Sequence, residues 1–236
     1  MSQEQPKAVD EVARLGEVYE GYRREGAKWR LTNPGNRAIL AERQTATRRA
    51  LTECGLLPLA GRRVLEVGSG IGGELAWLLE LGARPADLVG VDLLADRVAE
   101  ARLEHPDLRF EVADGQRLDF PRASFDLVLA LTLFSSTLEP SRRSAVATEM
   151  SRVLRPGGAI LWYDVRVGNP RNPNLLAMPR AELKRLFPTL EVKARSITVA
   201  PPLARRLGPL TGPLYPVLAA IPALRSHLLA TIQERG

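Results

Sequence analysis

The chain has few of the residues on which several classes of site depend. Its single cysteine, Cys54, cannot form a disulfide within the chain, and its two histidines, His105 and His227, exclude a three-histidine metal centre. Aromatic residues make up only 5% of the 236 residues, and no basic run is interleaved with them. The pattern typical of single-stranded nucleic-acid binding is therefore missing. No apolar run follows a basic one near the N-terminus, so no secretory signal is readable, and we expect a cytoplasmic protein.

Composition and charge are those of an ordinary globular chain. Hydrophobic residues make up 45% and charged residues 25%, which excludes a disordered or fibrous protein. The formal net charge is +6, from 33 basic and 27 acidic residues. Such a balance suggests anionic partners, but we favour an arginine-rich solvated surface as its explanation. We expect no specific nucleic-acid partner.

Three regions differ in texture along the chain. Residues 1–60 are polar and helix-like, and we expect them to form an N-terminal helical extension that acts as a lid. Residues 61–165 alternate strand and helix patterns, with short uncharged strands at 63–67, 88–91, 108–112, 125–130 and 159–163. This alternation predicts an α/β fold with a parallel sheet covered by helices on both faces. We place the core at residues 61–200 and a C-terminal apolar segment at 201–236.

A glycine-rich loop carries most of the chemical information. Residues 64–73 read VLEVGSGIGG, a strand that runs into a loop before a helix. Without Cβ atoms, Gly68 and Gly70 let a ligand approach the backbone closely. Together with Gly73 they also fit the fingerprint of dinucleotide-binding proteins. The loop alone leaves open a methyl donor, a nicotinamide dinucleotide, or a tight turn without a ligand.

Two carboxylates end the next strands. Asp92 follows the glycines at about the spacing of a ribose-binding carboxylate, where it can accept both ribose hydroxyls or cap the next helix. Asp114 ends the third strand, within the segment ADGQ, where a carboxylate can accept the exocyclic amine of adenine. Both placements suit any ligand that contains adenosine.

The order and spacing of five segments resemble class I S-adenosylmethionine-dependent methyltransferases, in particular the broad group that acts on small molecules. The segments are the glycine loop, Asp92, ADGQ at 113–116, FDLVL at 125–129 and MSRVLRPGG at 150–158. The resemblance covers roughly residues 60–165 and hardly reaches the C-terminal quarter. It implies a Rossmann-like, seven-stranded, mostly parallel sheet with helices on both faces.

The resemblance also implies S-adenosyl-L-methionine as cofactor and a set of residues that bind it. Glu66 would order the loop near the methionine amine, Asp92 would bind the ribose, and Asp114 would hold the adenine amine. Leu131 would direct its carbonyl group at the methionine amine. The implied cofactor-binding positions are Glu66, Gly68, Ser69, Gly70, Asp92, Leu93, Asp114, Gly115, Gln116 and Leu131.

The acceptor side is harder to read. Asp164 ends a buried strand at the expected mouth of the site and is the best candidate for a catalytic base; its alternative role is a structural cap or a salt bridge to Arg166. Candidate substrate-binding residues are Tyr22, Trp29, Phe134, Ser135 and Tyr163. Asp164 has no acidic neighbour, so we expect no metal. The segment after the fourth strand, LTLFS, lacks the Asn-Pro-Pro-Tyr pattern of nucleic-acid methylases of this fold.

An uncharged, proline-broken stretch lies between Arg206 and Arg225. We expect it to pack over the core and to supply an apolar wall for the acceptor, with a dimer interface or a membrane contact as alternatives. The chain is then a monomer or a homodimer.

The most economical interpretation is a methyltransferase that moves a methyl group to an oxygen, nitrogen or carbon of a small molecule, such as a sugar, a polyketide or a lipid-linked intermediate. Two alternatives stay open. One is an NAD(P)-dependent oxidoreductase that uses the same loop, and the other is a partner protein that binds the donor without catalysis.

Overall fold

The computed structural model describes residues 5–24, 26, 30–168 and 172–235. The helices are α1 (Gln5–Arg24), α2 (Pro34–Glu53), α3 (Gly73–Leu78), α4 (Ala95–Glu104), α5 (Pro140–Val153), α6 (Arg180–Leu186), α7 (Pro201–Arg206) and α8 (Thr211–Ala220). The strands are β1 (Val64–Val67), β2 (Leu88–Asp92), β3 (Arg109–Val112), β4 (Phe125–Leu131), β5 (Leu154–Val165), β6 (Glu191–Val199) and β7 (Arg225–Gln233).

The strands form one seven-stranded sheet in the order β3-β2-β1-β4-β5-β7-β6. Strands β1 to β5 pair in parallel, and β7 runs antiparallel to both β5 and β6. The predicted seven-stranded, mostly parallel sheet is confirmed. The order reverses between β1 and β4, and in open α/β sheets a crevice for ligands forms at the carboxyl ends of the strands beside such a reversal.

Two apolar clusters cover the two faces of the sheet. One joins the sheet to α2, α3 and α4 and includes Leu51, Leu75 and Leu78. The other joins it to α5 and α6 and includes Met150 and Leu183. Because both faces are covered, the central strands read as continuous apolar runs, as parallel strands do. The helices thus fix the loops at the strand ends, where the site lies.

Helix α2 begins at a well-formed cap. The Asn33 side chain accepts hydrogen bonds from the backbone N–H groups of Gly35, at 2.8 Å, and Asn36, at 3.4 Å, and Pro34 occupies the first turn. The start of α2 packs tightly against α7, since a Cβ at Gly35 would overlap the Ala204 carbonyl group. This contact sets the position of α2 over the sheet.

The C-terminal region differs from the expectation. Residues 201–220 do form helices that pack on α2 and β6. Residues 225–233 form β7, which is inserted between β5 and β6, so the expected boundary at residue 200 leaves a sheet strand outside the core. The apolar run LLATI at 228–232 was the available signal for a buried strand. Among the described residues, no helix is both long and apolar enough to cross a membrane.

Candidate active site

The glycine loop adopts a conformation that other residues rarely take. Gly68, Gly70 and Gly72 have φ angles of 76°, 55° and 84°, a region that glycine enters without steric cost. A Cβ at Gly70 would also overlap the guanidinium group of Arg97. The N–H groups of Gly68 and Ser69 donate to the Val91 carbonyl oxygen at 2.8 and 3.0 Å, which ties the loop to the end of β2.

Asp92 organises the same loop from the end of β2. One carboxylate oxygen accepts the Gly70 N–H at 2.8 Å, and the other accepts the Leu94 N–H at 2.9 Å at the start of α4. A carboxylate has about four acceptor positions, so each oxygen can accept one further hydrogen bond. Asp92 therefore joins the glycine loop to Leu94, the residue before α4, and still has capacity for two ligand hydroxyls.

A cavity of about 480 Å³ opens at the carboxyl ends of the strands. Its volume is typical of small-molecule sites. The structure brings together nine of the ten predicted cofactor-binding residues along its wall: Glu66, Gly68, Ser69, Gly70, Asp92, Leu93, Asp114, Gly115 and Leu131. Gln116 does not line the cavity; it lies behind Asp114.

Glu66 is a buried carboxyl group in the floor of the cavity. Its Oε2 atom has no hydrogen-bond partner among the described residues, and its side chain is 3% exposed. Burial raises the pKa of Glu66 well above its usual value, and the nearby Glu74 carboxylate raises it further. Arg43 on α2 opposes both effects and pairs with Glu74 at 2.6 Å. The orphaned oxygen is suited to a cationic ligand group.

Asp114 is held by two neighbours. Its carboxylate accepts the Gln116 N–H and the Gln116 side-chain amide, each at 2.9 Å. The Arg142 guanidinium lies 3.1 Å from the same carboxylate. Gln116 therefore positions Asp114 from behind, which differs from the direct ligand contact that the sequence suggested.

The segment after β4 is strained at the cavity wall. Thr132 has a φ angle of 55°, uncommon for a β-branched residue. Its hydroxyl donates to the Leu131 carbonyl oxygen at 2.7 Å, the group predicted to face a methionine amine. That oxygen retains a second lone pair for a ligand.

Helix α1 covers the cavity from the side opposite the sheet. The Arg97 guanidinium lies 4.0 Å from the centre of the Tyr19 ring, and both residues line the cavity. Burial raises the pKa of the Tyr19 phenol. Arg14 of the same helix donates to the Ser136 carbonyl oxygen at 2.7 Å. These contacts attach α1 to α4 and to the loop after β4.

Several predicted acceptor residues lie elsewhere. Phe134 is fully buried, with its ring 6.4 Å from that of Trp162 and 6.3 Å from that of Phe187, and Ser135 is also fully buried. Apolar packing draws Phe134 into the core beneath α5 and α6. As placed, neither residue lines the cavity, and their assignment to substrate binding is corrected accordingly.

Asp164 has a structural position. Its side chain is fully buried and accepts the N–H groups of Ser135 and Val165, each at 2.9 Å. Burial raises its pKa to about 6, although these hydrogen bonds work in the opposite direction. It fixes the loop after β4 to the end of β5 and does not line the cavity. Contact with an acceptor there, as the sequence suggested, is not what the structure shows.

Tyr163, Tyr22 and Trp29 complete the predicted set. The Tyr163 ring stacks on His227 with ring centres 4.8 Å apart, and its hydroxyl lies 2.9 Å from the Thr198 hydroxyl. It is 3% exposed and does not line the cavity. Tyr22 accepts a hydrogen bond from the Asn172 amide at 3.1 Å, outside the cavity wall. Trp29 lies outside the described residues.

Other residues line the cavity in their place. Arg43 and Arg97 contribute two cationic groups that the sequence analysis did not single out. Leu15 of α1, Leu31 of the turn before α2 and Leu40 of α2 contribute apolar surface. Their signal was the helical pattern of the N-terminal extension, which shows that a face is apolar but not where it lies. The expected apolar wall from 201–236 is wrong for this cavity, since the described residues lining it include none from that segment.

Within the described part of the chain, no group of three or more histidine, cysteine, aspartate or glutamate side chains is arranged to hold a metal ion.

Comparison with known proteins covers the part of the chain that carries the glycine loop, Asp92 and Asp114. A sequence model of the methyltransferase-domain family matches residues 64–158, the segment from β1 into β5. A fatty-acid O-methyltransferase of Mycolicibacterium smegmatis is 44% identical over 108 residues, which cover 45% of this chain and 38% of that protein. A phthiotriol/phenolphthiotriol dimycocerosates methyltransferase of Mycobacterium ulcerans is 38% identical over 113 residues, covering 47% and 40%.

The chain therefore spans about two fifths of the length of the curated relatives it matches. Among solved structures, an S-adenosylmethionine-dependent methyltransferase of Mesorhizobium loti aligns with a TM-score of 0.58 at 19% identity, over 79% of this chain and 96% of that one. That likeness extends the shared fold well beyond the matched segment. Residues 64–158 thus match the methyltransferase-domain family, and the chain shares the fold of a solved S-adenosylmethionine-dependent methyltransferase.

Proposed function

We propose that the chain binds S-adenosyl-L-methionine in the cavity and transfers its methyl group to an oxygen of a hydrophobic small molecule. The observation that carries the proposal is the convergence of the glycine loop, Asp92 and the unpartnered Glu66 carboxyl group on one cavity. Each suits a different part of the donor. The glycine loop lets the donor lie close to the backbone, Asp92 can accept the ribose hydroxyls, and Glu66 can accept the methionine amine.

The residues present fit this donor. The orphaned Oε2 atom of Glu66 offers an acceptor to an ammonium group, and the pairing would return the carboxyl group to its ionised form. Asp92 keeps acceptor capacity for the ribose, and Asp114 presents a carboxylate fixed by Gln116 and Arg142. When bound, the donor supplies a methyl group on a positively charged sulfur, ready for displacement by a nucleophile.

Catalysis in this site is mainly positioning. Methyl displacement is an in-line reaction, so the enzyme gains most by holding the two reactants in that geometry and by excluding water. Helix α1, anchored by Arg14 and by the contact of Tyr19 with Arg97, covers the cavity as a lid over the reacting groups. A carboxylate acceptor is already ionised at neutral pH and needs no base. Arg43 and Arg97 line the cavity as cations that can orient it.

The apolar side of the cavity favours an acceptor with a hydrocarbon chain. Leu15, Leu31 and Leu40 line the side of the cavity formed by α1, α2 and the turn between them. A methylene group buried there gains about 0.8 kcal/mol, so affinity should grow with chain length. The named activities of the two relatives, on fatty acids and on phthiotriol lipids, support the same class.

Transfer to acceptors of graded length tests the proposal. Incubation with methyl-labelled S-adenosylmethionine and saturated fatty acids should yield methyl esters in mass spectra, with kcat/KM rising from short to long chains. The variant Asp107→Ala, altered on an exposed turn, should match the parent, and Asp92→Ala should lose most activity. Methylation that is independent of chain length, or no methylated product from any oxygen acceptor, would contradict the proposal.

A further inference from the structure

Helix α8 is apolar both where it packs on the protein and on part of its exposed surface. Thr211 and Tyr215 are buried, and Leu218 packs beside them against α7 and α2. The adjacent face, about 100° further round the helix axis, carries four large aliphatic residues at helical spacing, which we call the apolar stripe: Leu214 and Val217 within α8, and Leu210 and Ile221 directly before and after it. They are 39%, 60%, 59% and 43% exposed, respectively. A helix that is hydrophobic all round is normally buried on all sides, so an exposed stripe of this kind indicates a binding surface.

Two segments of the chain near the stripe contain no acidic residue. No aspartate or glutamate occurs between Glu191 and Glu234, or between Glu25 and Glu42. These two acid-free segments pack together: the Arg205 guanidinium donates to the Asn36 side chain at 2.9 Å, and the Asn33 amide donates to the Arg205 carbonyl oxygen at 3.3 Å. The surface built from both is therefore basic.

Exposed arginines form the rim of this surface. Arg206 ends α7, and Arg30 and Arg37 flank the start of α2 that α7 contacts; all three are exposed. Glu42, the acidic residue that follows the acid-free N-terminal segment, accepts hydrogen bonds from the Tyr215 hydroxyl at 2.7 Å and from the Thr198 N–H at 2.9 Å. Its charge is thus directed into the protein rather than to the rim.

The same surface adjoins the entrance of the cavity. Leu31 and Leu40 belong to the acid-free N-terminal segment, and both line the cavity. Leu31 is also 53% exposed, so it forms part of the cavity rim next to Arg30. A hydrocarbon chain that enters the cavity past Leu31 would come from the side on which the apolar stripe and the arginines lie.

We propose that this surface docks on an anionic lipid bilayer, with α8 lying in the interface. The apolar stripe enters the headgroup region, and Arg30, Arg37 and Arg206 face the lipid phosphates. With ten residues, α8 is too short to span a bilayer. A symmetric pairing with a second copy would place two basic rims against each other, which is unfavourable. Docking is independent of the proposed transfer, whereas delivery of a lipid acceptor to the cavity rests on that function.

Cosedimentation of the full chain with vesicles tests the docking. Vesicles of phosphatidylcholine with about one quarter phosphatidylglycerol should bind the chain, and pure phosphatidylcholine or about 0.5 M salt should weaken binding markedly. The double variant Leu214→Ser, Val217→Ser should lower partitioning of the chain onto the anionic vesicles at least tenfold, because two apolar side chains no longer enter the bilayer. The matched control is Leu103→Ser on α4, an 84% exposed leucine away from the stripe, which should bind like the parent.

Melting curves check that each variant is folded, and the single variant Val217→Ser serves if the double variant is not. Absence of binding to the anionic vesicles, or unchanged binding of the stripe variants, would overturn the docking. So would a dimer in sedimentation velocity that dissociates on stripe substitution while vesicles bind nothing. If vesicles bind but S-adenosylhomocysteine fails to raise the melting temperature, the proposed function falls and the docking stands.

Discussion

Glu66 is a buried carboxyl group in the wall of the cavity. It lies beneath the glycine loop with one oxygen unpartnered, and its neighbour Glu74 is itself buried against Arg43. An isolated buried carboxylate is costly, and its pKa rises until the group is neutral. A ligand cation in the cavity would relieve that cost. This local charge conflict suits a positively charged ligand group beside Glu66.

Asp92 provides the sharpest residue-scale prediction. Each hydrogen bond to a charged acceptor contributes about 1.5–3 kcal/mol, so the loss of two ribose contacts in Asp92→Ala should weaken S-adenosylhomocysteine binding at least tenfold. The substitution also frees the Gly70 N–H, which adds to the loss. Calorimetry on the folded variant measures the change, and Asp107→Ala is the control. Equal affinity of Asp92→Ala and the parent would place the ribose elsewhere.

His227 makes stability depend on pH. Burial lowers the pKa of His227 to about 4, whereas an unfolded histidine titrates near ~6.5. Between these values the unfolded chain binds the extra proton, so stability falls as the pH drops from about 6.5 to 4, by about 3 kcal/mol in total. His227→Phe keeps the stacking on Tyr163 and removes this loss.

Urea unfolding at about pH 7 and pH 4.5 measures the effect, because the parent should lose more stability than the variant over this interval. Asp164 acts in the opposite sense in both proteins: its pKa of about 6 lets the folded state hold a proton that the unfolded state releases. That contribution cancels in the comparison. The same pH dependence in the parent and in His227→Phe would show that His227 is not the responsible group.

The glycine loop and the carboxylates at two strand ends were predictable from backbone constraints, whereas the other positions assigned to the donor rested on the family resemblance. A glycine loop between a strand and a helix, followed by carboxylates at two strand ends, has few other physical explanations. The acceptor residues were not, since Phe134, Tyr163 and Asp164 read as strand-end residues whether they face the cavity or the core. Their directions depend on the packing of α2, α5 and β7, which no local pattern shows.

At the scale of elements, α1 and α2 differ in how firmly they are attached to the rest of the protein. Helix α2 is capped, packs against α7, and carries Arg43 into the cavity. Helix α1 has fewer buried contacts and is attached through Arg14 and Tyr19. Elements with few buried apolar contacts open at low free energy, so α1 is the element that can admit ligands.

We expect α1 to be more protected when a ligand fills the cavity. Hydrogen exchange of its amides should slow on addition of S-adenosylhomocysteine, while exchange in α2 should change little. Tyr19→Ala should raise the Kd several-fold, because a cation–π contact contributes about 0.5–2 kcal/mol; Val12→Ala, at a 38% exposed position of the same helix, is the control. Equal protection of α1 with and without ligand would contradict a lid.

At the scale of the molecule, the sheet explains why the C-terminal quarter could not be read with the rest. Strand β7 pairs antiparallel with β5 and β6, so it does not continue the parallel strand–helix pattern from which the other strands were predicted, and the run LLATI at 228–232 does not show where in the sheet it is inserted. Strands β1 to β5 were each predicted, although β5 begins at Leu154 rather than at 159 and no helix separates β3 from β4. Insertion of β7 also separates this sheet from the doubly wound 3-2-1-4-5-6 order typical of dinucleotide-binding domains.

The most direct test of the account is calorimetric titration of the full chain with S-adenosylhomocysteine and, separately, with NAD. Both ligands contain adenosine and could use Asp92. Only S-adenosylhomocysteine carries an amino-acid ammonium group, from which the buried Glu66 carboxyl group can accept a hydrogen bond. We predict single-site binding of S-adenosylhomocysteine and no measurable binding of NAD. Saturable binding of NAD, with none of S-adenosylhomocysteine, would contradict a methyl-donor site.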